Sequence, residues 1–346
     1  MMGKTEYLDY YSGKRVLVTG GAGAVGSNLV RRLLDLGAFV IVIDNLSSGY
    51  TWLLPQDAPN LLFIEGDITN DVDLKRVFNE EPEIIFHLAA FFANQNSVDY
   101  PEKDLWVNGF GTLKLLEYTR IYGKVERFVY ASSGCSIYPS DAPMPFKEDL
   151  PISSWMSTPY QITKALGELY CNYFYKMYDI PITKARFFNS FGPGEVPGQY
   201  RNVIPNFIYW AMLGKPLPIT GTGEETRDFT YVGDIVDGLL RMGYYREAIG
   251  EAFNLAAGRE VKIKYLAEKV NELTGNTAGI VFKPRRKWDT KPRMLASNEK
   301  AKKVLGFNPD PDFDGRLAET VEWFKQNWEL IKKSAEFGPG VSSAVR

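Results

Sequence analysis

The sequence predicts an α/β fold: a Rossmann-like doubly wound parallel sheet with a smaller C-terminal α/β unit. Three observations carry this. Short apolar, β-branched runs alternate with stretches of helical period as far as about residue 190. The first run ends in a glycine-rich turn, "TGGAGAVG". Beyond residue 190 a Gly/Pro-rich segment interrupts the alternation, and helices with short strands follow.

Residues 1–13 read as a polar, aromatic N-terminal arm. "KRVLVTG" (14–20) is a buried parallel strand. Residues 24–36 follow as a helix, with Val25, Leu29, Val30, Leu33 and Leu34 on one stripe. "FVIVID" (39–44) and "LLFIEGD" (61–67) are the next strands, and "DVDLKRVFNE" is a short helix. "EIIFHLAA" (83–90) is a fourth strand. Residues 102–122 read as one helix carrying Leu105, Val107, Leu113, Leu115 and Leu116. "RFVYASS" (127–133), a helix at 159–178 and "ITKARFFN" (182–189) complete the alternation. Right-handed crossovers place all strand C-terminal ends on one edge. "FGPGEVPGQYRNVIPNF" reads as a long ordered loop, with helical periods after it at 203–213, 233–246, 262–274 and 316–333. The expected organisation is an arm (1–13), a nucleotide-binding unit (14–190) to which later segments return, a second unit (191–335) that holds substrate, and a flexible tail (336–346).

Composition removes several classes of function. The net charge of -2 offers no basic field for nucleic acid or anionic lipid. No apolar run reaches the roughly 18–20 residues that span a bilayer, and the N-terminus lacks an apolar signal core. Only Cys135 and Cys171 are present, which favours a reducing, cytoplasmic setting over a disulfide framework. His87 is the single histidine, so neither a His-dependent triad nor a multi-His metal site is expected.

Gly20, Gly23 and Gly26 sit between a strand and a helix that opens near Ala24. That context lets backbone approach a diphosphate and aims helix N–H groups at it. The second strand ends in Asp44, whose carboxylate suits an adenosine ribose diol and repels a 2′-phosphate. NAD is therefore favoured over NADP. Asp67, after the third strand, is placed to bond an adenine amine or, with Thr69, to cap the next helix.

"TPYQITKALGE" puts Tyr160 and Lys164 four apart on one helix face. An ammonium beside a phenol, with an oxidised nicotinamide, favours the phenolate and makes the tyrosine a usable base. "YASSGCSIYPS" (130–140) offers Ser132, Ser133 and Ser136 as hydroxyls for a reacting oxygen.

Together with "VIDNLSSG", "VNGFGTLKLLE", "ARFFNSFGPG", "TGTGEETRDFTYVGDIVDGLL" and "KVLGFNP", these pieces resemble the extended short-chain dehydrogenase/reductase family, in its nucleotide-sugar epimerase and dehydratase branch. The resemblance spans nearly the whole chain. It implies that Gly20, Gly23 and Gly26, with Ala24 and Val25, hold an NAD diphosphate. Asp44 and Asn45 would take the adenosine ribose, and Asp67 and Ile68 the adenine. Leu88, Ala89 and Ala90 would line the dinucleotide, His87 would be buried, and Asn108 would stand near the active site. Tyr160 would be the base, Lys164 the nicotinamide-ribose ligand. Asn189, Val203, Arg227, Arg286 and Asp289 would contact a nucleotide-diphosphate sugar. A homodimer through the helices at 102–122 and 159–178 is also implied.

The pattern departs at one place. Dehydratases and decarboxylases of the branch carry a carboxylate just after the catalytic hydroxyl, where this chain has Gly134, Cys135 and Ser136. The segment is also a residue longer, with Ser133 the preferred hydroxyl. "SSGCSIYP" is similar to a stretch of GDP-mannose 3,5-epimerases in which the cysteine is an acid/base. The expectation is therefore a UDP-hexose 4-epimerase. A 3,5-epimerase or 4,6-dehydratase using Cys135 or another unusual acid is the alternative, and a catalytically silent NAD-binding regulator is the alternative of another class.

Overall fold

The protein was analysed as a computed structural model, which describes residues 6–338. Seven parallel strands make one sheet: β1 Arg15–Thr19, β2 Phe39–Asp44, β3 Leu61–Glu65, β4 Ile84–His87, β5 Arg127–Ser133, β6 Ile182–Phe187 and β7 Ala252–Leu255. Their spatial order is β3-β2-β1-β4-β5-β6-β7. The winding reverses between β1 and β4, so a crevice opens at the C-terminal ends of those two strands. Thr19 pairs with Ile43 on one side and His87 on the other, which brings three strand ends level at that crevice.

Strand side chains alternate between two helical layers. Val16, Val18, Val40 and Val42 face helices α1 (Ala24–Asp35) and α6 (Val232–Tyr244). Leu17, Ile41, Ile43 and Ile85 face α2 (Asp71–Phe78), α3 (Thr112–Tyr122) and α4 (Pro159–Tyr178). A second unit packs α5 (Val203–Met212), α7 (Ile263–Thr274) and α8 (Phe313–Gln326) around Phe207, Leu266, Leu317 and Phe324. No helix among the described residues is long and apolar enough to cross a membrane.

Four features differ from the sequence reading. The arm read at 1–13 is anchored: among residues 6–13, Tyr7 and Tyr11 are buried in the core. Tyr11 is fully buried and its hydroxyl donates to Leu240 O at 2.6 Å, while Arg241 lies over the Tyr7 ring at 4.3 Å. Their partner, α6, is more than two hundred residues away, so no local pattern reveals it. Residues 102–122 are not one α-helix: Pro101–Asp104 leads into a π-turn, Leu105–Gly111, before α3. The wider turn shifts the helical phase. Leu105, expected on the buried stripe, is 53% exposed, and Asn108 is buried instead. The helix expected at 316–333 breaks at Asn327, whose side chain donates to Trp323 O, and restarts as Trp328–Ser334. The expected tail begins in ordered contact: Glu336 bridges to Gly198, and Phe337 stacks on Tyr209 at 5.4 Å. Residues 1–5 of the arm and 339–346 of the tail lie outside the described residues.

Candidate active site

After β1 the backbone turns through Gly20 in the left-handed region, φ +71°. A Cβ on Gly20 would stand 2.8 Å from Ala89 backbone, and one on Gly26 would stand 2.2 Å from the Gly20 carbonyl oxygen. Glycine at these positions lets α1 sit against the ends of β1 and β4. Gly23 opens α1 without a side-chain cap. The first-turn N–H groups, at Ala24, Val25 and Gly26, therefore border the cleft as anion donors.

The cleft measures about 640 Å³ and runs along the sheet edge from Asp67 to Tyr160. At one end Asp44 lies buried, its two carboxylate oxygens accepting the N–H groups of Ala22 (2.9 Å) and Leu46 (2.8 Å). Burial pushes its carboxyl above the usual range, opposed by those donors and by Arg201. Asn45 donates to Asp67 at 2.7 Å, and Ile68 lines the wall beside them. Asp67 also accepts the Thr69 N–H and hydroxyl, while Asn70 caps α2. This corrects the capping role considered for Asp67 and Thr69. Leu88, Ala89 and Ala90 form the floor after β4.

His87 is a strut below that floor. Its Nδ1 meets Thr19 Oγ1 at 2.8 Å and its Nε2 meets Thr112 Oγ1 at 2.9 Å. The Thr19 oxygen already accepts N–H groups from Leu88 and Ala89. Thr19 therefore donates to Nδ1, which assigns the proton to Nε2. Burial lowers the His87 pKa to about 3, helped by the charge on Lys164.

At the other end Tyr160 and Lys164 project from α4, held by Pro159 in the first turn and by Thr158 capping Gln161 N. The Tyr160 N–H donates to Ser97 Oγ at 3.0 Å, and the ring meets Phe92 edge-on at 5.9 Å. Lys164 Nζ donates to Ala131 O at 2.9 Å and lies 5.7 Å from the Tyr160 ring centre. Burial lowers Lys164 to about 8, and burial with Asp104 and Cys135 raises the Tyr160 phenol well above its usual range. Burial and these neighbours thus favour the neutral phenol over the phenolate.

The serines at the end of β5 separate. Ser132 donates to Glu168 at 2.6 Å, and Glu168 is bound to Arg186 in a buried ion pair at 2.8 Å. Ser133 shares a hydrogen bond with Ser136 at 2.9 Å and faces the cleft without an ionic partner. Cys135 also borders the cleft and accepts the Asn189 N–H, and burial pushes its thiol up.

Residues 16–256 match the NAD dependent epimerase/dehydratase family. The chain belongs to this family. It is 36% identical over 314 residues to a UDP-glucose 4-epimerase of Mycolicibacterium smegmatis, covering 90% of this chain and 98% of that protein. Among solved structures, an epimerase of Methanothermobacter thermautotrophicus is 59% identical with a TM-score of 0.94, covering 96% of this chain and 98% of that one. A UDP-glucose 4-epimerase of Thermotoga maritima with UDP-glucose is 35% identical, TM-score 0.86, covering 91% and 99%.

In this family member several expected site residues stand off the cleft wall. Asn108 is buried behind it. Its side chain accepts the Phe91 N–H at 2.7 Å and donates to Phe91 O and Asp104, so it shapes the wall and does not line it. Val203, Arg227, Arg286 and Asp289 lie outside the cleft proper. Arg227 pairs with Asp289 at 3.0 Å, Arg285 reaches the same carboxylate at 3.4 Å, and Arg286 lies over the Trp288 ring at 5.5 Å. Asn189 borders the cleft in left-handed backbone, φ +28°, with its amide on Asp228 O. Sequence reasoning missed three charged groups on the wall: Lys103, Glu195 and Arg201. Glu195 and Arg201 lie in the stretch read only as an ordered loop. Their charge inside a Gly/Pro-rich, otherwise neutral run was the available signal.

Proposed function

We propose that this chain is an NAD-dependent nucleotide-sugar 4-epimerase acting on a UDP-hexose, and that it works as a cytoplasmic homodimer. The observation that carries the reading is the placement of Tyr160, Lys164 and Ser133 at one end of a single cleft whose other end holds the glycine turn and Asp44. A glycine cradle that any Cβ would fill, uncapped helix N–H groups and a ribose-side carboxylate fit a dinucleotide. NAD, when bound, supplies the hydride acceptor at C4 and a positive charge that favours the Tyr160 phenolate. Tyr160 Oη then takes the proton of the C4 hydroxyl. Ser133 Oγ hydrogen-bonds the same oxygen as it becomes a carbonyl, and Lys164 holds the cationic field behind the phenol. By family resemblance Arg227 and Arg286, which stand just outside the cleft proper, take the substrate diphosphate, and Asp289 holds the Arg227 fork. The relatives that act on UDP-glucose support the nucleotide and the hexose class.

The Cys135 route is the weaker reading. No carboxylate stands at the three positions after Ser133, and burial of the Cys135 thiol pushes its pKa up, which disfavours the thiolate. The homodimer reading is supported by apolar side chains exposed along the π-turn and α4: Leu105, Trp106, Ile162, Leu169 and Met177. Proton NMR of UDP-hexoses with the enzyme in D2O tests the reaction. Inversion at C4 with no deuterium gained supports it. Deuterium at C3 or C5, or a new C6 methyl, refutes it.

A further inference from the structure

The loop Pro193–Asn202 leaves the sheet end beyond Phe191 and crosses the cofactor side of the cleft before α5 begins. It is tied down at both ends of the cradle. Asn28 of α1 donates to Pro193 O at 2.8 Å, and a Cβ on Gly194 would stand 3.1 Å from Ala24 O and from Ser27 Oγ. At the far end Arg201 donates to Ser48 O at 2.6 Å, in the loop after β2. Between these ties Glu195 lies buried, accepting the Asn202 amide at 2.8 Å.

The charges in the cleft are unevenly matched. Its basic side chains are Lys103, Lys164 and Arg201. Lys164 is committed to Ala131 O, and Lys103 sits over the Phe91 ring toward Asp67. Arg201 is the cation whose field reaches both Asp44 and Glu195, the two carboxyls that flank the glycine turn. It forms no ion pair among the described residues. A guanidinium carries five N–H donors, and Ser48 O and the Tyr50 hydroxyl engage only part of them. The glycine turn offers a diphosphate N–H dipoles but no full positive charge.

We propose that Arg201 is a ligand of the cofactor diphosphate, brought over the dinucleotide by the strap Pro193–Asn202. The proposal rests on the NAD reading above.

The test uses stripped full-length enzyme, wild type and the variants Arg201→Gln and Arg201→Lys, titrated calorimetrically with NAD, ADP-ribose and adenosine. Loss of a charge-assisted phosphate contact predicts about 10- to 100-fold weaker NAD and ADP-ribose for Arg201→Gln, with adenosine unchanged. Arg201→Lys falls between, because a point charge replaces a fork. NAD carried through purification drops in the same order. Equal weakening of adenosine and ADP-ribose, or no weakening at all, overturns the proposal and leaves Arg201 as a tie between loops. A wild-type protein that binds no NAD overturns the reading beneath it, and the proposal with it.

Discussion

Replacing Gly26 by alanine puts a methyl carbon 2.2 Å from the Gly20 carbonyl oxygen and 2.7 Å from the Gly21 Cα. Ordinary contact begins at 3.4 Å, a shortfall of about 1.2 Å, and both neighbours are backbone. β1 cannot yield, since Val16, Leu17 and Val18 are fully buried between two layers. The helix α1 must move out, loosening Leu29, Val30 and Leu33. Overpacking of this kind costs about 1–3 kcal/mol, and more where backbone must shift. Gly23 is the control. Its Cβ would meet only Gly20 O, at 3.2 Å, and otherwise stand in the cleft. Gly23→Ala therefore keeps stability within about 0.5 kcal/mol, while NAD affinity falls by at least about tenfold, or ~1.4 kcal/mol. Gly26→Ala loses both. Urea midpoints of the stripped proteins, with NAD titration of each, separate the two effects. A Gly26→Ala protein with the wild-type midpoint and the wild-type NAD affinity would refute the account of the turn.

Three further outcomes follow from the geometry. Tyr160→Phe removes only the phenol oxygen, so turnover falls by about 10²–10⁴-fold while NAD stays bound, as acid extraction of the purified variant measures. His87 is held neutral, with its pKa lowered to about 3. The unfolded chain takes up that proton first, so stability is full above about pH 6.5 and declines toward pH 3 by roughly 1.4 kcal/mol per pH unit. His87→Gln removes this contribution, and urea midpoints between pH 4 and 7 that show the same slope for both proteins would contradict it. Glu168→Ala strands the Arg186 guanidinium, which is 6% exposed. It costs about 3–5 kcal/mol, read as a lowered urea midpoint, whereas replacing Glu117 of the exposed Arg120 pair changes little.

Legibility in the sequence followed the range of the interactions. Six strands, the glycine turn and the Tyr160–Lys164 pair are set by residues within a few positions of one another, and each stands where its local pattern placed it. The seventh strand, Ala252–Leu255, is four residues long and contains a polar Asn254, so its local pattern implies only some return of the chain to the sheet. Its identity comes from pairing with β6. The π-turn was invisible for a similar reason. Asn108 bonds to Phe91, Asp104 and Thr163, and of these only Asp104 lies within a turn of it in sequence. The tie that sets Ser132 apart from Ser133 and Ser136 is to the Glu168–Arg186 pair, whose halves lie on α4 and β6. Arg201 and Glu195 gain their meaning from Ser48 and Asp44, on the far side of the cleft.

The return of the chain to the sheet also governs how the protein is made. A nascent chain that has completed β6 still lacks β7, and nothing covers the Val16, Val18, Val40 and Val42 face beside α1 until α6 has been synthesised. Until Leu255 clears the ribosome, the growing molecule carries an unpaired strand edge and an open apolar surface. Translation interrupted between Ser190 and Tyr244 thus yields an aggregation-prone fragment and no smaller nucleotide-binding protein.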